Sequence, residues 1–278
     1  MEEITILMRF ASSMKQKKLV AVICVLAVIA AGQLFCANAE ASSWGKNFYK
    51  NLSRRLGYNR ENYPALTDEE FANFRMVRVS GIVDGKLYRS SSPVSTWGNR
   101  NAIADAAARK AGIRTFVNLA DTASSVREQE GFSGSYYSEQ KIIALGLGMK
   151  YQSRIFRESL ARGIKLMARS EGPYLIHCSL GKDRAGYVCA LIECLMGASL
   201  QEVIADYLVS FWNYFGIKQG TREYDYVAEN EIVRFLAQAF GVKSEDMTKI
   251  NLADAAERYF RGIGVSANEI AALREKLR

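Results

Sequence analysis

The stretch 176–186 reads Ile-His-Cys-Ser-Leu-Gly-Lys-Asp-Arg-Ala-Gly, a cysteine and an arginine six positions apart around a short glycine-containing run. Residues 173–177 before it read as a short buried strand entered from a turn. Residues 184–196 after it place Ala185, Val188, Cys189, Leu191, Ile192, Leu195 and Met196 at mostly helical spacing. The polar run therefore joins a strand end to a helix start, a junction that belongs to a sheet covered by helices.

At such a junction several helix N–H groups lack intrahelical acceptors and converge on an anion, with the positive end of the helix dipole behind them. The same field stabilises a thiolate at Cys178, since a free cysteine with a pKa of about 8.5 is mostly protonated at neutral pH. That thiolate can attack phosphorus and form a phosphocysteine, dividing hydrolysis into two steps. Arg184 has the planar fork that holds two phosphoryl oxygens, and the backbone N–H groups from Ser179 to Arg184 take the remaining charge. Lysine at 184 would lack the fork. A core cysteine before an ordinary capped helix is the plainer reading, but it leaves the polar run between Cys178 and Arg184 unexplained.

The run resembles the cysteine-x5-arginine loop of protein tyrosine phosphatases. Its Gly-Lys-Asp-Arg form is similar to that of bacterial cysteine-dependent tyrosine and dual-specificity phosphatases that also act on phosphoinositides. His177, Gly181, Lys182, Asp183 and Gly186 fall on that pattern together. Upstream, 85–93 resembles the strand and turn that open these domains, and 112–121 the helix exit, strand and acid-bearing loop that follow. The resemblance covers roughly residues 70 to 235. It implies a three-layer α/β fold of the tyrosine phosphatase type with a mostly parallel central sheet. It also implies Cys178 as nucleophile, Arg184 as phosphate clamp, and a substrate loop of Ser179, Leu180, Gly181, Lys182, Ala185 and Gly186.

Proton donation to the leaving group is worth about 10²- to 10⁴-fold. Two carboxyls compete for that role. Asp121 lies just past a strand read at 115–119, where a parallel sheet presents residues beside such a loop; Asp183 lies within the loop, and the resemblance favours it. Either can instead be structural, Asp183 as a helix cap and Asp121 in an Asx turn. His177 is the single histidine of the chain, which excludes a multi-histidine metal site. The resemblance gives it the task of orienting the loop and tuning Cys178, with a satisfied core histidine as the alternative. Lys182 reads either as a contact for a second phosphate or as a solvated loop charge. Ala185 departs from relatives that place serine or threonine after the arginine. That hydroxyl assists release of the cysteine, so slow phosphoenzyme hydrolysis and a burst are expected.

Alternation of elements supports an α/β sheet with helices on both faces. Helices are expected at 99–110 and at 152–169, the latter with Ile155, Leu160, Ile164, Leu166 and Met167 along its apolar side. Further helices are expected at 221–240 and at 266–277, where Ser-Ala-Asn-Glu forms a capping-box pattern. The glycine-bearing stretch 124–147 reads as an active-site wall or lid in which Tyr136 and Tyr137 either stack on an aryl substrate or pack as loop residues. The aromatic stretch 200–215, with Tyr207, Phe211, Trp212, Tyr214 and Phe215, reads as helix packing or as a substrate shoulder.

At the amino end, Lys15-Gln16-Lys17-Lys18 precedes an apolar run over 19–36 and small residues at Ala37, Ala39 and Ala41. This is the order of a secretory signal peptide spanning 1–41, with Met14 as an alternative initiator. Export to a periplasmic or extracellular space follows, the segment engaging the membrane on the way; an uncleaved anchor is the competing reading. Residues 42–278 then form a single phosphatase domain with helical extensions at both ends, and a hydrophobic content of 49% suffices for its core. Cysteines 178, 189 and 194 do not make a disulfide scaffold. The net charge of +8 favours anionic partners, but the basic residues are scattered and follow no nucleic-acid motif. The expected activity is removal of phosphate from phosphotyrosine, with phosphoserine and phosphothreonine as extensions. A phosphoinositide or inositol phosphate is the alternative substrate, and a non-catalytic phosphate-binding module the lower one. No cofactor or metal is required, because Arg184 and the loop N–H groups supply the positive charge.

Overall fold

The computed structural model describes residues 44–278 apart from 46, 53, 55 and 58, so the leader read over 1–41 lies outside the described residues. Described residues up to Arg54 belong to one compact unit and Arg55–Arg278 make up another. Among the described residues no helix is long and apolar enough to cross a membrane.

In the larger unit, helix α1 (Asp68–Phe71) leads into strands β1 (Arg75–Met76) and β2 (Leu87–Ser90). Helix α2 (Asn101–Lys110), β3 (Thr115–Asn118) and β4 (Lys141–Ala144) follow, then α3 (Arg154–Ala168), β5 (Tyr174–His177) and α4 (Asp183–Met196). The sheet order is β1-β2-β5-β3-β4, parallel throughout except for β1 on its edge. Edge strands β1 and β4 escape a sequence reading because the first has two residues and the second is only half buried. The three inner strands are buried along their whole length, as a sheet covered on both faces requires.

Register lines up Tyr88, Leu175 and Phe116 on one face. With Val94, Ala108, Ile113, Val126 and Tyr137 they make the core beneath α2. Helices α3 and α4 cover the other face, backed by α5 (Leu200–Phe215) and α8 (Leu252–Gly262). In α3 the buried stripe is Phe156, Leu160, Ile164 and Met167, while Ile155 is 73% exposed and Leu166 also reaches solvent. This corrects the expected apolar side: Ile155 stands about 100° around the helix from Phe156.

The expected helix over 221–240 is α6 (Arg222–Val227) and α7 (Arg234–Phe240) joined by a π-helical turn at Ala228–Val233. The final helix α9 (Ala267–Leu277) carries both arms of the Ser266–Glu269 capping box. Within the stretch 124–147, Tyr136 and Tyr137 pack as loop residues. Tyr137 is fully buried, the Tyr136 hydroxyl donates to the Ile113 carbonyl at 2.7 Å, and both backbone N–H groups donate to the Asp105 carboxylate at 2.9 Å.

Candidate active site

Strand β5 ends at His177 and α4 begins at Asp183, so the five residues between ride on a rigid strand and a rigid helix. Cys178 is 2% exposed at the base of this loop. The loop carbonyls are held from outside. Ser179 O accepts from the Ser92 N–H at 3.1 Å, and Leu180 O accepts from Asn73 Nδ2 at 3.0 Å and from the Tyr214 hydroxyl at 2.7 Å. Gly181 O and Lys182 O both accept from Arg89 Nη2, at 2.9 and 3.1 Å. Turning four successive carbonyls outward leaves the opposite edges of those peptides facing inward. Among the described residues, none of the N–H groups from Ser179 to Arg184 donates within the protein. Such a set of unspent donors at a helix start is an anion cradle.

Glycine is obligatory at 181. Its φ is +67°, and a Cβ there would stand 2.1 Å from the Ser90 carbonyl oxygen. Gly186 is needed for a different reason: a Cβ would meet the Tyr207 ring at 2.6 Å and Arg89 Nη2 at 2.7 Å. It thus seats the first turn of α4 against its supports, while Ala185 beside it is fully buried.

Arg184 spans the loop. Its Nη2 donates to Ser179 Oγ at 3.2 Å and its Nη1 to the Leu147 carbonyl at 2.9 Å, while its buried Nε has no partner among the described residues. The fork is thereby oriented, with a donor to spare. Lys182 lies back from the mouth. Its ammonium donates to Asp183 Oδ1 at 2.6 Å and sits 4.4 Å from the centre of the Phe211 ring. Burial opposes its charge, but the carboxylates of Asp183 and Glu231 prevail and its pKa is raised. The reading of Lys182 as a solvated loop charge gives way to that of a buried counter-ion of Asp183.

His177 is fully buried, its Nε2 3.2 Å from the Tyr137 hydroxyl. Burial pulls its pKa down to about 3 against the opposing backbone of Cys178, with Arg184 adding to the fall. The ring is therefore neutral at ordinary pH, so it orients the strand end and supplies no positive charge to the thiolate. Asn118 Nδ2 donates both to Tyr137 Oη at 3.1 Å and to Asp121 Oδ2 at 3.0 Å, and Gln129 Nε2 holds Asp121 Oδ1 at 3.1 Å. Each Asp121 oxygen thus accepts one amide hydrogen bond from a nearby side chain. Asp183 stands in the phosphate loop itself, about one-third exposed.

The supports Arg89, Asn73, Ser92 and Tyr214 were not among the site residues legible in the sequence. Arg89 had one signal: a basic side chain inside a short buried strand must have a buried acid. That acid is Asp206 of α5, at 2.5 Å from Arg89 and 3.0 Å from Arg75. Burial alone would raise the Asp206 pKa, yet Arg75 and Arg89 bring it down to about 2.

The family model described as "Tyrosine phosphatase family" matches residues 54–278. No curated protein matches the chain. Among solved structures, the core catalytic domain of the PP-IP phosphatase SIW14 from S. cerevisiae, in complex with citrate, is 17% identical. That match covers 66% of this chain and 93% of that one, with a TM-score of 0.35. A variant of TpbA from P. aeruginosa in complex with phosphotyrosine is 18% identical, covering 69% of this chain and 97% of that one with a TM-score of 0.39.

Proposed function

The chain belongs to the tyrosine phosphatase family, and we propose that this cysteine-dependent phosphatase hydrolyses phosphate monoesters on a polyanionic polyol, an inositol phosphate or a phosphoinositide headgroup. The mechanism follows from the loop. The Cys178 thiolate attacks phosphorus as the bond to the leaving oxygen breaks, and Asp183 protonates that oxygen. The Arg184 fork and the inward N–H groups take the charge of the phosphoryl oxygens. Water then attacks phosphorus and releases phosphate, returning the sulfur as thiolate.

One observation carries the polyol reading. The aromatic residues that would wall a phosphotyrosine slot are spent on packing: Tyr137, Tyr207, Phe211, Tyr214 and Phe215 are buried, and Tyr136 is tied to Ile113. A positive net charge of +8 adds long-range attraction for a substrate with several phosphates. Phosphotyrosine has one observation in its favour. Trp97 is half exposed, five residues after Ser92, whose N–H binds the loop.

The test is phosphate release by the reduced chain beside Cys178→Ser. Its substrates are soluble inositol phosphates, phosphoinositides in vesicles, and phosphotyrosine peptides. Cysteine-dependent release from the first two at higher kcat/KM is expected. Preference for the peptides, lost in Trp97→Ala, would replace the polyol reading with the aryl one, and no release from any substrate by a folded sample would overturn both.

A further inference from the structure

The parallel strands make one end of the sheet the active face. Strands β2, β5, β3 and β4 run the same way, so the segments leaving their C-terminal ends emerge at the end where the catalytic loop follows β5. Two of those segments touch the loop: the Ser92 N–H donates to Ser179 O at 3.1 Å, and Leu147 O accepts from Arg184 Nη1 at 2.9 Å. Helix α5 reaches the same end with its last turn, where the Tyr214 hydroxyl donates to Leu180 O at 2.7 Å.

Exposed apolar side chains gather there. Of the six large ones at the surface among the described residues, Val83 precedes β2 and Leu166 closes α3, both at the opposite end. The other four are Trp97, Met149, Ile155 and Trp212. Trp97 and Met149 are half exposed, Ile155 more so and Trp212 less. Met149 stands two residues after Leu147, no more than about 7 Å of chain from the carbonyl that steadies Arg184. Ile155 lies in the first turn of α3, and Trp212 comes two residues before Tyr214. Single exposed apolar residues are ordinary, but four around one mouth, with both tryptophans of the larger unit among them, mark an interaction surface.

The charges around these residues name the partner. The stretches 93–100, 146–157 and 212–222 contain no aspartate or glutamate, and Lys150, Arg157 and Lys218 stand exposed in them. The Lys218 ammonium lies 5.8 Å from the centre of the Trp212 ring. The remaining segment at this end, 119–130, carries Asp121, Glu128 and Glu130 and no large exposed apolar side chain. Apolar and cationic side chains are thus segregated from the acids. Tryptophan and aliphatic side chains interleaved with lysine and arginine suit the boundary of an anionic bilayer, where rings and chains leave water and the cations meet headgroups.

We propose that this face docks on an anionic bilayer. Met149, Ile155, Trp97 and Trp212 enter the headgroup region, Lys150, Arg157 and Lys218 pair with anionic lipids, and the Cys178–Arg184 cradle is presented to a phosphate on a lipid headgroup. The inference rests on the polyol reading above and selects within it the membrane-held phosphoinositide over the free inositol phosphate.

Hydrogen exchange of the full chain, alone and with phosphatidylcholine vesicles that contain or lack phosphatidylserine, locates the contact independently of turnover. Slower exchange over 146–153 and 216–221 is expected with the anionic vesicles, and none at the carboxyl end of α3. Protection confined to residues before 44 would mean that the amino-terminal segment alone meets the bilayer, and would overturn the inference. Protection of 146–153 that grows with protein concentration in the absence of vesicles would give the face to a second copy, and would overturn it too. Turnover is then compared on vesicle-held phosphatidylinositol phosphate, its water-soluble short-chain form and p-nitrophenyl phosphate. The proteins are the parent, Met149→Ser with Ile155→Ser, and Lys150→Gln with Arg157→Gln. Each double variant should lose about tenfold in kcat/KM on the vesicle-held ester. Unchanged kcat/KM on the two soluble esters shows that the fold and the chemistry are intact. Parent values on the vesicle-held ester, or equal losses on all three, would overturn the docking. A parent that is protected by vesicles yet hydrolyses neither phosphoinositide form would overturn the polyol reading, and with it the choice of lipid substrate, while leaving the contact with the bilayer.

Discussion

Two buried polar networks grip the phosphate loop, and they differ in kind. On the α5 side the network is ionic: Arg75 and Arg89 flank Asp206, and Arg89 reaches on to the carbonyls of Gly181 and Lys182. On the α2 side it is made largely of neutral groups, running from His177 through Tyr137 to Asn118, with Asp121 at its outer end. The first holds two of the four outward carbonyls of the loop, those of Gly181 and Lys182, through one forked, charge-assisted donor, while neutral donors hold the other two. The second has only to fix strand ends that the sheet already pairs. Charge is thus spent at the helix end of the loop, on the Gly181 and Lys182 carbonyls, and neutral hydrogen bonds suffice for the rest of the loop and for the strand ends.

The comparison breaks most visibly at Arg89. Arg89→Met removes the donor to both loop carbonyls and leaves Asp206 buried with one partner in place of two. Breaking such a buried pair costs about 3–5 kcal/mol. Urea unfolding should show that loss together with a fall in kcat/KM, because the cradle loses the anchor of its outer carbonyls. A loss below about 1 kcal/mol would mean that Arg75 alone sustains the ionic side, within the range of a surface pair.

The two sides also titrate in opposite directions. His177 has its pKa lowered to about 3, so below about 6.5 the unfolded chain binds a proton that the folded one refuses, and stability is lost as pH falls. Glu193, buried in α4 beside the ionic network, has its pKa raised by burial and then by Asp206. The folded chain keeps that proton above 4.5 and the unfolded chain releases it, so its stabilisation is lost as pH rises. Between those two unfolded values the slopes offset one another. Glu193→Gln removes one of them, so the variant should gain stability over the parent as pH rises. Its own stability should then climb by about 1.4 kcal/mol per pH unit across that window. Denaturation midpoints at three pH values decide it; parallel profiles for parent and variant would mean that Glu193 is not held protonated. Asp206 stabilises the fold fully above its unfolded value of 3.8, and that contribution is lost as pH falls from there toward 2.

On the neutral side, Tyr137→Phe deletes one hydroxyl and keeps the ring that packs on Phe116 and Phe132. Nε2 of His177 and one amide hydrogen of Asn118 lose a buried partner, at a cost of about 1–3 kcal/mol. Stability should fall by that amount with kcat/KM little changed. A fall in kcat/KM matching that of Arg89→Met would mean that the neutral network also shapes the cradle.

The contiguous part of the site was legible because its chemistry and its geometry share one stretch of chain: from Cys178 to Arg184 the residue types and the strand-to-helix switch stand side by side. What supports that stretch comes from elsewhere. Asn73, Arg89 and Tyr214 each sit in a segment whose local pattern says only loop, strand or helix, and their role exists only once the fold places them around the loop. Tyr136 and Tyr137 illustrate the converse. Their glycine-bearing surroundings read as loop, yet Asp105 of α2 draws their backbone in and seals both rings against the core. The π turn at Ala228–Val233 has no periodic signature of its own, because one extra residue shifts the apolar stripe without ending it.

Both networks hold the loop from outside, so neither acts on the second chemical step. Ala185, next to Arg184, is fully buried in the first turn of α4. Relatives of the resembled type place a hydroxyl there to assist the departure of the cysteine from phosphorus. Ala185→Ser adds one oxygen at a site that accepts a side chain, so it should leave kcat/KM, which reports phosphoenzyme formation, nearly constant. It should raise kcat by about threefold to tenfold, equivalent to roughly 1 kcal/mol of barrier. In a stopped-flow trace with p-nitrophenyl phosphate the parent should show a burst followed by slow release, and the variant a smaller burst. A parent without a burst, or a variant whose kcat and kcat/KM change together, would place the slow step at phosphoenzyme formation, where the outer networks govern the cradle and a hydroxyl at 185 has nothing to assist.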